Sequence, residues 1–535
     1  DTWIPVSRKL KPMQSDQLAV GAYYTTIDNL LSRMTLEEKI GQMILASIEV
    51  SRMDAGTREF LRKNHIGNVI LFGKNCAGRA ALAQLNAEIQ HTVMAENGLP
   101  ALIAIDQEGG CVTRLRSEAT VFPSAMVIAR TGDPANAYKV GRMMGGELRA
   151  LGINLDCAPV LDTLSGPAER RYYGQTVQSI ADYGCAMARG LRDAGVLACG
   201  KHFPGHEQTG ADTHFGFVVD NTPRDTLMNS CLTPFCRAMS EDLASVMVSH
   251  VCFPALDDTD TPCSMSAPVI QGVLRGQLGY QGLVISDGLQ MHAILDQYGA
   301  PQGCVQAALA GCDLLIIGNG GDNADPTGKD VQTPCIRALC DAVADGTLPM
   351  ARVDESVRRI LACKLALGWT MPARDAASQD WSNHAALADA LAETGVTVQD
   401  PHGLLPLPAG TLFIARASGT GTGVTEGDRI TESFAPQRLG GQCAVYHTVE
   451  ELPELADVCA AAPAVVFAFG TREEAAAAAQ AAEALAAHNP RFCAVCLAEP
   501  DALQHYPFAA STVSAWDRTE PAMRAVCRAL ANLQI

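Results

Sequence analysis

The sequence predicts an α/β protein in two parts. A (β/α)8 TIM-like barrel spans residues 1–370, and a linker at 371–385 leads to a smaller α/β domain, a sheet with flanking helices, over 386–535. Three observations carry this. Eight strand-sized apolar runs recur with helix-compatible segments between them. The runs are near-continuous in Val, Ile, Leu and Ala, as in parallel strands buried on both faces. Several of them end in a polar residue, as strands do where the loops of a barrel converge on one catalytic face.

The elements follow in order. Thr35-Leu36-Glu37-Glu38 has capping-box spacing and starts a helix whose apolar positions Ile40, Met43 and Ile44 lead into the first run. The runs are 43–46, 68–72, 101–105, 154–160, 196–200, 245–251, 282–286 and 313–317. An open doubly wound sheet shares this alternation and remains the rival architecture. The polar ends are Asp106, Asp162, Lys201 with His202, His250, Asp287 and Asn319. A helix over 353–367 stops at Gly368, and Pro372 with the polar stretch 375–381 reads as a linker. Beyond it, strands at 412–415, 465–469 and 492–497 alternate with helices, including an alanine-rich one over 473–488. Gly419-Thr420-Gly421-Thr422-Gly423 lacks the last spacing of a dinucleotide fingerprint, since Val424 follows, and reads as a glycine-threonine loop.

Composition narrows the function. The 535 residues carry 58 acidic against 40 basic side chains, a net charge of −18. That balance repels nucleic acid unless a basic patch is concentrated somewhere, and none is evident. No apolar run reaches bilayer-spanning length, so no transmembrane helix is expected. Nineteen scattered cysteines suit reduced thiols better than a disulfide framework, and Cys493 and Cys496 lie in an apolar run as core residues. A cytoplasmic location is expected. The first residue is Asp1 and not methionine, which is also compatible with a removed leader. The oligomeric state is not legible.

The chemistry concentrates in Lys201-His202-Phe203-Pro204-Gly205-His206-Glu207-Gln208-Thr209-Gly210-Ala211-Asp212-Thr213-His214, a loop after the fifth run. Three readings compete. In metal hydrolysis, His202, His206, Asp212 and His214 would be ligands; the amidohydrolase type of barrel places His-x-His on its first strand, and 43–46 has none. In covalent glycosidase chemistry, Asp287 would be the nucleophile, and His214, with Asp212 two residues back to fix its tautomer, the proton donor. A non-catalytic sugar-binding protein would need aromatic platforms, for which Tyr172, Tyr173 and Phe215 are the candidates.

The segments Lys201-His-Phe-Pro-Gly-His206 and Asp212-Thr-His214 resemble the signature of family 3 glycoside hydrolases of the β-N-acetylglucosaminidase (NagZ-type) branch. Ile105-Asp-Gln-Glu-Gly-Gly110, Ala158-Pro-Val-Leu-Asp162, Ser249-His-Val251 and Ser286-Asp287 match in the same order, as does the 34–43 stretch. The resemblance implies a retaining hydrolase that removes terminal β-linked N-acetylglucosamine without metal or cofactor. It assigns Asp287 as nucleophile, His214 with Asp212 as acid/base, and Asp106, Arg114, Arg171, Lys201 and His202 as binders of sugar hydroxyls. Phosphorolysis of the same glycosides is its alternative outcome. The sequence departs from the family pattern at Cys111, Glu207 and Gly288. Residues 371–535 are expected to be dispensable for chemistry.

Overall fold

A computed structural model describes residues 20–163, 171–206, 216–318, 330–368, 370–417, 441–497 and 500–531. The first core strand, β1 (Ile44–Ser47), leaves the helix Leu36–Met43 directly. That helix begins where the sequence predicts it. The Thr35 hydroxyl accepts the Glu38 amide at 3.2 Å and the Glu38 carboxylate accepts the Thr35 amide at 2.8 Å, so two amides that a helix start leaves unpaired are both satisfied.

The strands that follow are β2 (Asn68–Leu71), β3 (Leu102–Ile105), the short pair β4 (Gln107–Gly109) and β5 (Val112–Thr113), β6 (Leu155–Asp156), β7 (Leu197–Phe203), β8 (Ser245–Val248), β9 (Leu283–Ser286) and β10 (Leu315–Ile317). Eight of them form one sheet in the order β10-β1-β2-β3-β6-β7-β8-β9, every neighbouring pair parallel. A parallel bridge between Ile285 and Leu314, with the Ser286 amide on Leu314 O at 2.9 Å, joins the two outer strands. The sheet is therefore a barrel. Each of the eight apolar runs supplies one of its strands, and the open-sheet rival falls.

Two buried asparagines tie the strands of this core together. Asn68 donates to Gln42 O at 2.7 Å and Ile44 O at 3.0 Å, and Asn154 accepts the Ile103 amide at 2.8 Å while donating to Ala101 O at 3.0 Å, so both stitch neighbouring strands at their starts. At the same end, buried Asp313 receives Arg275, Arg352 and Arg359 at 2.8, 2.8 and 3.1 Å.

The second sheet has six strands in the order β11 (Thr397–Gln399), β16 (Ser511–Ser514), β15 (Phe492–Cys496), β14 (Val465–Phe469), β12 (Leu412–Arg416), β13 (Gln442–Tyr446), with only the β11–β16 pair antiparallel. Val465, Phe467 and Phe469 face one apolar cluster, and Val466 and Ala468 the other, the alternation of a strand covered on both faces. Cys493 and Cys496 are fully buried on β15, one in each cluster. The helix Arg472–His488 covers one face. The stretch read as a linker runs into the helix Ser382–Thr394, and Ala376, Ala388 and Leu391 join the barrel's own core. The glycine-threonine loop at 419–423 lies outside the described residues.

Candidate active site

Asp106 leaves the end of β3 and is followed at once by the antiparallel hairpin β4–β5. Its turn needs glycine: Gly109 and Gly110 have φ of 87° and 60°, and a side chain on Gly110 would stand 2.8 Å from Ser124 Cα. The Gln107 side chain then accepts the amides of Arg114 and Leu115 at 3.0 and 3.1 Å, which fixes where the chain leaves the hairpin. Arg114 is thereby turned back toward Asp106, 3.6 Å away, with its guanidinium 5.7 Å from the Phe72 ring.

Lys201, on β7, the fifth barrel strand in chain order, completes the cluster. Its ammonium lies 2.7 Å from Asp106 Oδ1 and 2.6 Å from Glu108 Oε1, and it is 2% exposed. Arg171 grips the same glutamate through two parallel bonds, Nε to Oε2 at 2.8 Å and Nη2 to Oε1 at 2.7 Å. Burial alone would raise both carboxyls. Lys201 and Arg114 outweigh it at Asp106, and Arg171 and Lys201 at Glu108, so both sit below the usual carboxylate range, Glu108 at about 2. Conversely, burial would strip the proton from Lys201, but Asp106 and Glu108 push its affinity above that of a free lysine.

The next residue, His202, gives its backbone amide to Asp162 Oδ1 at 2.8 Å and its ring Nδ1 to Oδ2 at 2.7 Å. Asp162 is buried, yet His202 and then His206 hold it below its ordinary value. With Nδ1 bound to Asp162, the opposite ring nitrogen, Nε2, is the one turned away from it.

Asp287 ends β9 and is half-buried. Its amide donates to Val248 O at 3.1 Å, and its Oδ1 accepts the Gly288 amide at 2.7 Å. Gly288 O accepts His250 Nε2 at 2.9 Å, and Ser264 Oγ lies 2.7 Å from His250 Nδ1. The strand-end histidine at 250 is therefore a buried strut under the loop that carries Asp287. These parallel strands put Asp106, Lys201, His202 and Asp287 on the C-terminal rim of the barrel, where directional, charge-assisted donors and a partly solvated carboxylate can meet one polar substrate.

The family model for the glycosyl hydrolase family 3 N-terminal domain matches residues 35–363. The chain belongs to glycosyl hydrolase family 3. It is a glycoside hydrolase. Among related sequences, a β-hexosaminidase of Nitrosomonas eutropha is 35% identical over 270 residues, covering 49% of this chain and 76% of that protein. One of Nitrosospira multiformis is 34% identical over 295 residues, covering 54% and 82%. Among solved structures, a family 3 β-N-acetylglucosaminidase from Paenibacillus sp. str. FPU-7 is 32% identical with a TM-score of 0.84, covering 93% of this chain and 97% of that one.

Within this family 3 barrel, four of the five predicted hydroxyl binders, Asp106, Arg114, Arg171 and Lys201, form one linked cluster, and the fifth, His202, adjoins it with Asp162 behind. Asp212, His214, Glu207 and Asn319 lie outside the described residues. Tyr172 and Tyr173 are buried and offer no stacking platform for a sugar. Cys111, one of the departures from the family pattern, is half-buried at the hairpin tip.

Sequence reasoning missed two residues. Glu108 was legible as the acid before the Gly109-Gly110 turn. Asp156 was hidden inside an apolar run. It is fully buried, its Oδ1 accepts the Gln107 amide at 3.0 Å, its Oδ2 has no hydrogen-bond partner among the described residues, and burial holds its carboxyl well above the usual range.

Proposed function

We propose that the protein is a retaining exo-β-N-acetylglucosaminidase, removing terminal, non-reducing β-linked N-acetylglucosamine. The relatives named β-hexosaminidase and the β-N-acetylglucosaminidase from Paenibacillus support the substrate. The observation that carries the mechanism is the placement of Asp287, a half-buried carboxylate at a strand end on the same rim as the Asp106–Lys201–Glu108–Arg171 cluster.

In this reading the cluster and His202 hold the sugar hydroxyls, and Asp287 attacks the anomeric carbon. The bond to the leaving oxygen breaks as His214, kept protonated by Asp212, delivers its proton to that oxygen. Neutral His214 then takes a proton from water, whose oxygen displaces Asp287 and regenerates both residues. Neither step calls for a metal or a cofactor.

The test is to trap the intermediate. A slow fluorosugar substrate should leave its adduct on the peptide containing Asp287, and Asp287→Ala should lower kcat by about three orders of magnitude or more. An adduct on another peptide refutes the assignment. Aryl glycosides of N-acetylglucosamine, glucose and N-acetylgalactosamine compared side by side decide the sugar.

A further inference from the structure

We infer that Asp517, contributed by the second domain, is a positioning residue for the sugar-binding hairpin of the barrel: its carboxylate holds Ser124, and the Gly109–Gly110 turn rests on Ser124. The inference relies on the reading of Asp106, Arg114 and the groups around Glu108 as hydroxyl binders.

The contacts form an unbroken path. Asp517, 1% exposed, follows β16, and its Oδ2 accepts the Ser124 amide at 2.9 Å. The carbonyl of Trp516 accepts the Ser124 hydroxyl, also at 2.9 Å, so the second domain takes both donors of this one barrel residue. Ser124 is the N-cap of the helix Ala125–Arg130, where an amide has no partner within its own helix. The carboxylate is itself fixed: Oδ1 accepts the amides of Arg518 and Thr519 at 2.7 and 3.2 Å, and Oδ2 the Thr519 hydroxyl at 2.8 Å.

On its other side the 122–124 segment is pressed against the hairpin. Gly110 donates its amide to Phe122 O at 2.9 Å. A Cβ on Gly109 would stand 3.0 Å from Pro123 O, and one on Gly110 2.8 Å from both Ser124 Cα and Cβ. Two consecutive glycines in left-handed conformations are what such an approach requires. One residue before that turn, Glu108 grips Lys201 and Arg171. A shift of Ser124 is therefore a shift of the turn, and the turn carries the substrate-binding charges.

A plain domain joint has no use for such a group. Burying a carboxylate is costly, and an apolar contact would hold two domains together more cheaply. What a carboxylate with four donors supplies is direction, fixing the Ser124 amide at one place. Residues 371–535 would then serve substrate affinity, while the groups expected to carry the chemistry all stay on the barrel.

The experiment uses the full chain and two readouts, hydrogen exchange of the peptide 107–115 and steady-state kinetics on an aryl β-N-acetylglucosaminide. Asp517→Ala should speed exchange of that peptide while β8 and β9 keep their rates, and raise KM roughly tenfold with kcat changed less than about twofold. Should that variant fail to fold, Ser124→Ala, which removes the hydroxyl's bond to Trp516 O and its weaker cap on the Val127 amide but leaves the Ser124 amide on Asp517, should move both readouts the same way by less. A folded variant with unchanged hairpin exchange and unchanged KM overturns the inference, as does a loss confined to kcat. If the wild-type chain hydrolyses no such glycoside, the substrate reading fails by itself, and the exchange of 107–115 still decides the role of Asp517.

Discussion

Lys201 and Glu108 meet at 2.6 Å between Nζ and Oε1, and the glutamate's other face is taken by Arg171 through two parallel bonds. A lysine this deeply buried would ordinarily shed its proton. Here Asp106 and Glu108 keep it charged, and Lys201 with Arg171 in turn holds Glu108 ionised, so the groups proposed to bind the substrate are pre-oriented. Little reorganisation is left for the moment of binding.

Glu108 should therefore matter to stability as well as activity. Glu108→Ala leaves Arg171 buried without its partner and should cost about 3–5 kcal/mol, read from urea unfolding at neutral pH. Its carboxyl is depressed in the fold from the usual 4.5 to about 2, so the stability it contributes is present above 4.5 and lost as the pH falls through that interval. The gap between wild type and variant should shrink over the same range. A gap that stays constant down to about pH 3 would show that Glu108 does not carry the linkage.

The barrel was readable because parallel strands buried on both faces have no choice but to be apolar, and all eight runs obeyed. The capping box at Thr35 and Glu38 was readable because two side chains must serve two amides at fixed spacing. The hairpin β4–β5 was not: strands of three and two residues have no periodicity, and only the paired glycines mark the turn. In the second domain, β13 exposes Gln442, Cys443 and Val445, and β16 is Ser-Thr-Val-Ser, so neither shows the apolar run that betrayed β14 and β15. Of the site, Lys201, His202 and Asp287 were visible as polar residues that end apolar strands, whereas Arg114 and Arg171 rested on resemblance alone. Glu108 and Asp156 were passed over because their partners come from distant strands and loops.

Asp156 offers a test of a neutral acid in this crowded place. Its folded carboxyl is raised by burial, so its favourable contribution is full below the usual 3.8 and is lost as the pH rises from there. Asp156→Asn, which mimics the protonated acid, should stay within about 1 kcal/mol of wild type at pH 5 and gain on it toward pH 7. Asp156→Ala, which strands the Gln107 amide, should cost about 1–3 kcal/mol at either pH. An asparagine variant that loses ground as the pH rises would mean that the carboxylate is ionised in the fold.

Lys364 is buried with two neutral acceptors, Gln42 Oε1 at 2.6 Å and Gly67 O at 2.9 Å, and burial lowers it from 10.5 to about 7. Between those values the unfolded chain holds a proton that the folded one lacks, so this group makes stability increase with pH. Urea midpoints of wild type relative to Lys364→Met should climb from about pH 7 to about pH 8.5, below the range of ordinary thiols. Parallel profiles would place the lysine's proton on the folded protein throughout.

The acid/base proposal rests on sequence, since Asp212 and His214 lie outside the described residues, and it makes the sharpest kinetic prediction. Imidazole titrates near pH 6.5, and a carboxylate partner favours its charged form, so a His214 paired with Asp212 remains a donor near neutral pH. General-acid help is worth about 10² to 10⁴-fold, and it matters in proportion to the basicity of the leaving oxygen. His214→Ala should thus cripple cleavage of a natural disaccharide by about that factor, while a dinitrophenyl glycoside, whose leaving group needs no proton, still glycosylates Asp287 at close to the wild-type rate. Asp212→Ala should show the same contrast in milder form, because a histidine without its orienting carboxylate still carries a proton for part of the time. Single-turnover rates on both substrates separate the outcomes. If His214→Ala slows the two glycosylation steps equally, His214 is a binding or structural group, and Glu207, seven residues earlier in the same loop, becomes the first place to look for the donor.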